Sequence, residues 1–261
     1  MTLRSRLAVI ALAVSCAGGL VGCGTPRMEP DAVPSAPDMV LPTPAANDFV
    51  STVMRTRGLG TAEVAIDVST TTDEGSVQLT GSGPVSVNKG YGRLEWSSDD
   101  GETFTEVSNG KGLFVQSGGP SALWTHLPDK TSTATGRLAD PLRGIGTAMS
   151  VVRHGSEPLG DISAVRYTGR IPASPESIAL LGLSDGQITA LGDSWRGEWI
   201  DLTVWVDPRG RIVRMERSLT IPESDGGPVS ATTTTTLDDF SRTIDLEPPP
   251  TESVTEGSSS G

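Results

Sequence analysis

Ile200-Asp201-Leu202-Thr203-Val204-Trp205-Val206-Asp207-Pro208-Arg209-Gly210-Arg211-Ile212-Val213-Arg214-Met215 carries the clearest fold signal in the chain. Ile200, Leu202, Val204 and Val206 alternate with Asp201, Thr203 and Trp205, the period of a strand with one buried face. Asp207-Pro208-Arg209-Gly210 supplies the turn, proline fixing one φ and glycine free to take a positive one. Val213, Met215, Leu219 and Ile221 then face back, so the stretch predicts a hairpin buried on one side. A Thr-rich strand, Val229 to Leu237, follows and closes the domain.

Upstream, the same alternation recurs at short intervals. Val64, Ile66 and Val68 lead, followed by Val77 and Leu79, then Val85 and Val87. Further strands are predicted around Tyr91 to Trp96, Phe104 to Val107, Gly112 to Val115 and Leu123 to Leu127. The separators Asp99-Asp100-Gly101, Asn109-Gly110 and Ser117-Gly118-Gly119-Pro120 are turn chemistry at hairpin spacing. This is an antiparallel meander. Helical patterns interrupt it. Asn47 or Asp48 can cap a helix carrying Phe49, Val50, Val53 and Met54 on one stripe, ended by Gly58. Leu138, Leu142, Ile145, Met149 and Val152 recur at the spacing of one helix face, weakened by Gly144 and Gly146. After a strand from Ile162 to Ile171, a further helix is predicted from Pro175, with Ile178, Leu181 and Leu183 as its apolar positions. Strands then helices then strands define an α+β fold, in which one apolar sheet face needs helices to cover it.

The ends of the chain read differently. Arg4 and Arg6 precede an apolar run from Leu7 to Val14, the form of a secretory signal and too short to span a bilayer. Leu20-Val21-Gly22-Cys23 resembles a bacterial lipobox, where the peptidase cuts before a diacylglyceryl-modified cysteine. Residues 1–22 are therefore expected to be a lipoprotein signal peptide and Cys23 the lipidated N-terminus. Each buried methylene contributes about 0.8 kcal/mol and one chain anchors only marginally, so two or three chains on Cys23 would make the anchoring durable. Cys16 leaves with the signal, and no disulfide can form in the mature chain. Residues 23–46 are Pro-rich and predicted to be an extended tether. Residues 47–247 make one domain. Residues 248–261, rich in Pro, Ser, Thr, Glu and Gly, are predicted to be a disordered acidic tail.

Composition narrows the function classes. The 261 residues include 31 Gly, 19 Pro and 36% hydrophobic residues, which excludes a collagen and a coiled coil. The net charge is −12 and no polybasic stretch exists, so nucleic acid is not an expected partner. With 2 His and 2 Cys, the commonest ingredients of metal sites and acid–base catalysis are nearly absent. Gly192-Asp193-Ser194-Trp195 has the opening of a GDS-type esterase motif. That motif needs a downstream histidine, and both His126 and His154 precede Ser194, leaving the serine without a base. His154 is expected at a helix C-terminus and His126 at a strand end, both structural. Asp99-Asp100-Gly101-Glu102 lacks the alternating ligand spacing of a Ca²⁺ loop and is expected to be a solvated hairpin turn. Trp195, Trp199 and Trp205 are expected to pack at the core and its rim rather than form a sugar-stacking surface. No catalytic residue, metal or cofactor is expected, and the protein is read as not an enzyme.

Three segments together resemble the LolA/LppX–LprG group of envelope lipoproteins, best known from actinobacteria. The first is Gly81-Ser82-Gly83 with Phe104-Thr105-Glu106-Val107, Gly112-Leu113-Phe114-Val115 and Trp124. The second is the hairpin Leu202 to Arg214. The third is Thr236-Leu237-Asp238-Asp239-Phe240 running into Ile244-Asp245-Leu246-Glu247-Pro248-Pro249. The similarity covers most of residues 47–255. It implies a strongly curved antiparallel sheet, a half-barrel, with helices on its concave face and acyl chains held between sheet and helices. The apolar positions facing that space would be Val64, Ile66, Val68, Leu142, Ile145, Met149, Leu202, Val204, Val213 and Met215. The expected partners are the membrane, through the Cys23 anchor, a lipid or glycolipid, and an envelope transporter. A monomer on the extracytoplasmic face of the cell membrane is expected. Alternation reports which face is buried and not whether it leaves a gap. A fully packed core in an accessory lipoprotein without a ligand therefore remains the alternative.

Overall fold

The computed structural model describes residues 44–73, 75–128, 134–183, 185–221, 227–244 and 246–256. The signal, Cys23 and most of the tether lie outside the described residues. The described residues form one compact unit. Its strands are β1 (Ala62–Thr72), β2 (Gly75–Ser86), β3 (Tyr91–Ser98), β4 (Thr103–Asn109), β5 (Gly112–Ser117) and β6 (Trp124–Leu127). Then come β7 (Met149–Leu159), β8 (Ile162–Pro172), β9 (Trp199–Val206), β10 (Ile212–Ile221), β11 (Val229–Asp238) and β12 (Val254–Glu256). The helices are α1 (Pro44–Gly58), α2 (Ala134–Leu138), α3 (Pro175–Ile178) and α4 (Asp185–Ala190).

All twelve strands belong to one sheet, in the order β12-β6-β5-β4-β3-β2-β1-β11-β10-β9-β8-β7. Every pairing is antiparallel except that of β12 with β6. The sheet is not closed into a barrel. It curves as a half-barrel around a core drawn from its inner face and from all four helices.

The hairpin at Asp207 forms as its residues dictate. One Asp207 carboxylate oxygen accepts from the Arg209 and Arg211 amides, each at 2.9 Å, and the other from Arg211 Nε at 2.7 Å. Gly210 takes φ 75°. Arg55 of α1 donates to the Arg209 carbonyl at 3.2 Å and so seats the helix on this turn. A bulge between Ile212 and Arg214 then changes the facing of β10. Ile212 takes the inward place expected of Val213, which is only half-buried, and Met215, Leu219 and Ile221 face the core.

Five expectations are corrected. The long helix over Leu138 to Val152 does not form. Leu138 ends α2, a turn follows, Ile145 opens a 3-10 turn after Gly144 at φ 75°, and β7 begins at Met149. The helical spacing is thus shared by unrelated elements. Leu142 and Ile145 reach the core, whereas Met149 and Val152 are exposed on the edge strand. His154 accordingly lies within β7 rather than at a helix end. Helix α1 starts at Pro44, inside the stretch read as tether, because proline is well suited to a first helical turn. Val77 and Val85 belong to one long strand, with Gly83 at φ 145° rather than a turn between them. Finally, part of the tail is structured: Val254–Glu256 pairs with Trp124, Thr125 and His126 of β6.

Candidate ligand-binding interior

The candidate site is the space between the inner face of the sheet and the helical cap. Alternation fills that face with Val64, Ile66 and Val68 from β1, Leu94 and Trp96 from β3, and Leu202 and Val204 from β9. The roof is made of short pieces. Ser174 caps α3 reciprocally with Ser177, and a 3-10 turn carries Leu180 and Leu181 inward before Gly182 reverses the chain at φ 81°. A Cβ at Gly182 would come within 2.7 Å of Val68 Cγ1, so glycine lets the roof lie directly on β1.

Polar groups hold the roof down. Thr56 of α1 accepts from the Ile212 amide and donates to the Thr52 carbonyl, both at 2.9 Å. Arg57 donates to the carbonyls of Val87 at 3.3 Å and Leu142 at 2.9 Å, and pairs with Asp140 at 3.5 Å. Arg217, on the inner register of β10, is 1% exposed and donates to the carbonyls of Pro141 at 2.7 Å and Arg143 at 3.2 Å. Burial pushes its pKa down to about 10, against the attraction of Asp140. Arg217 Nε and its cross-strand neighbour Thr233 Oγ1 are buried without a hydrogen-bond partner. At the other end, Tyr167 donates to Asp48 of α1, and Arg153 Nε reaches the phenol oxygen at 3.3 Å. Burial first, and then Asp48, raises the Tyr167 pKa.

The structure brings Val64, Ile66, Val68, Leu142, Ile145, Leu202, Val204 and Met215 together in this interior. Met149, 53% exposed, and Val213 are not part of it. Sequence reasoning missed Tyr167, Leu94 and Arg217. The last was visible as an arginine on the inward register between Met215 and Leu219. The gap among Phe49, Val151, Tyr167, Leu202 and Val204 has no room for a water molecule. Outside it, a groove of about 540 Å³ runs between α2, α3 and α4, lined by Arg137, Arg143, Ile188 and Trp195.

The remaining constellations fall apart in space. Trp199 and Trp205 stand six residues apart on β9, about 20 Å. Trp205 is engaged, its Nε1 donating to Glu157 at 2.6 Å under the Arg214 guanidinium. Ser194 sits in a turn, its amide bonded to the Leu191 carbonyl at 3.0 Å. His154 Nε2 bonds Thr168 at 2.8 Å. His126 stacks on Phe114 at 4.7 Å, with Nε2 3.1 Å from the Lys111 carbonyl and Nδ1 3.1 Å from Glu256 of β12. Asp100 accepts from Ser98 in the β3–β4 turn, which holds its pKa down. Among the described residues no three His, Cys, Asp or Glu side chains cluster as a metal site, and no helix is long and apolar enough to cross a membrane.

Comparison with solved structures finds similarity to two mycobacterial proteins. The chain is similar to LppX and LprF. The Mycobacterium tuberculosis lipoprotein LppX matches with 19% identity and a TM-score of 0.48, over 78% of this chain and 98% of that one. LprF from Mycobacterium bovis matches with 16% identity and a TM-score of 0.48, over 80% of this chain and 98% of that one. No family model and no curated protein matches the sequence.

Proposed function

We propose that the protein is a membrane-anchored envelope lipoprotein, tethered through Cys23, that binds a lipid or glycolipid between its sheet and its helical cap and passes it on. The observation that carries this reading is the largely apolar inner face, from β3 across to β8, interrupted by Arg217 and Thr233 and roofed beside α1 by short separate pieces. Such a roof can lift piecewise, and an apolar space accepts an apolar ligand by burial alone, without bond chemistry. For the gap among Phe49, Tyr167 and Val204 to take a ligand, the roof would have to move off β1 and β10.

Native mass spectrometry of the soluble domain lacking Cys23, purified from its own host, tests this reading. The expected result is a co-purifying lipid of defined mass, lost in Val204→Trp and retained in Met149→Trp, whose side chain lies outside the interior. The tight packing around Val204 favours a second reading, an accessory lipoprotein with no ligand. A protein that arrives empty and ignores added lipids and glycolipids would establish it instead.

A further inference from the structure

A separate concavity, of about 650 Å³, lies on the opposite, outer face of β1 to β5. Its floor is built by register. Ala65, Ser82, Glu95, Thr105 and Gln116 stand side by side across the five strands. Asp67, Thr80, Ser97 and Thr103 form a second row beside them. The loop at Gly119 and Pro120 makes a wall, fixed by Gln116 Nε2 donating to the carbonyls of Pro120 at 3.2 Å and Ala122 at 2.8 Å.

The charges in this groove are unspent. Among the described residues, the side chains of Asp67, Arg93 and Glu95 make no hydrogen bond and no ion pair. Some surface charges elsewhere are paired, as in Arg170 with Asp201 at 3.0 Å and Arg242 with Glu63 at 3.3 Å, and others, such as Asp161 and Glu198, stand alone; what distinguishes Asp67, Arg93 and Glu95 is that they share one groove. Mixed signs suit neither a phosphate nor a cation. The Ala65 methyl is the one apolar side chain in the two rows, so an acyl chain gains little there. What fits is a ligand dense in groups that both donate and accept: carboxylates take its hydroxyl protons, a guanidinium donates to its oxygens, and serine and threonine do either. We propose that this groove binds an uncharged saccharide chain, independently of any ligand in the interior.

The test is calorimetric titration of the full lipoprotein in detergent with linear hexasaccharides of glucose, of mannose and of galactose, with hexa-alanine as the peptide control. At least one saccharide is expected to bind. Glu95→Gln should weaken it by about tenfold or more. Ser82→Trp, which fills the groove from an exposed position, should abolish binding, and Met149→Trp, at an exposed position on β7, should leave it unchanged. The proposal is overturned if no saccharide binds up to about 10 mM, if hexa-alanine binds instead, or if Glu95→Gln and a correctly folded Ser82→Trp both bind as the parent does.

Discussion

Thr56 shows how much one side chain can carry. It is fully buried, and its hydroxyl is the acceptor for the Ile212 amide at the β10 bulge. Thr56→Val keeps the volume and orphans that amide, and should cost about 1–3 kcal/mol of stability in urea unfolding. Arg217 makes a sharper case. Arg217→Ala leaves a cavity and two carbonyls without their donor, and should lower stability by about 3–5 kcal/mol. Arg217→Met fills the space without burying a charge and should lose much less by the same measurement, since burying an ion pair or cation is itself expensive. If the two variants are equally damaged, the donors to Pro141 and Arg143 matter more than packing. Alternation reveals Arg217 as inward-facing. It does not reveal the carbonyls it holds, because these come from a loop about 75 residues away in sequence.

At the scale of elements, the strands were legible and the roof only in part: the helix predicted from Pro175 forms as α3 and a 3-10 turn, and the one predicted over Leu138 to Val152 does not. Alternation in β1, β9 and β11 is a local property enforced by one buried face, and each of these strands forms where it predicts. Leu138, Leu142 and Ile145 were rightly read as apolar core positions but wrongly joined into one helix. Gly144 in the left-handed region breaks the helix, and Met149 and Val152 continue the same spacing by coincidence on an edge strand. Strand β12 was illegible because Val254-Thr255-Glu256 is too short to show a period, and its partner lies far back in the sequence. Its docking carries a pH dependence. The Lys111 carbonyl and then Glu256 raise the His126 pKa, with burial opposing. The part of that rise owed to Glu256 means that the charged ring supports the docked state. That support is complete below the ordinary pKa of 6.5 and is lost as pH rises through the raised one. Protection of the Thr255 and Glu256 amides, taken relative to their intrinsic exchange rates, should therefore be greater at acid pH than at alkaline pH, a contrast that His126→Phe should erase.

For the whole molecule, the question is whether the roof moves. Val68→Cys with Gly182→Cys would place the Cβ atoms about 3.6 Å apart, within disulfide reach, at a strain of about 1–2 kcal/mol from the positive φ at Gly182. The oxidised variant should take up no added lipid and the reduced one should recover uptake, read by native mass spectrometry with and without reductant. Equal loading in both states would place the route to the interior elsewhere. The strand order has a further consequence, one of timing. Within β1 to β6 and within β7 to β11, neighbours in the sheet are neighbours in the chain. The pairing of β1 with β11 joins them, and it links Glu63–Thr71 to Ser230–Asp238. Distant pairings bear the largest loop-closure cost and form late. A chain delivered from its N-terminus must therefore hold the apolar side of β1 incomplete until its last long strand arrives. Folding is thus postponed to the end of delivery, which would suit the export that the proposed function requires.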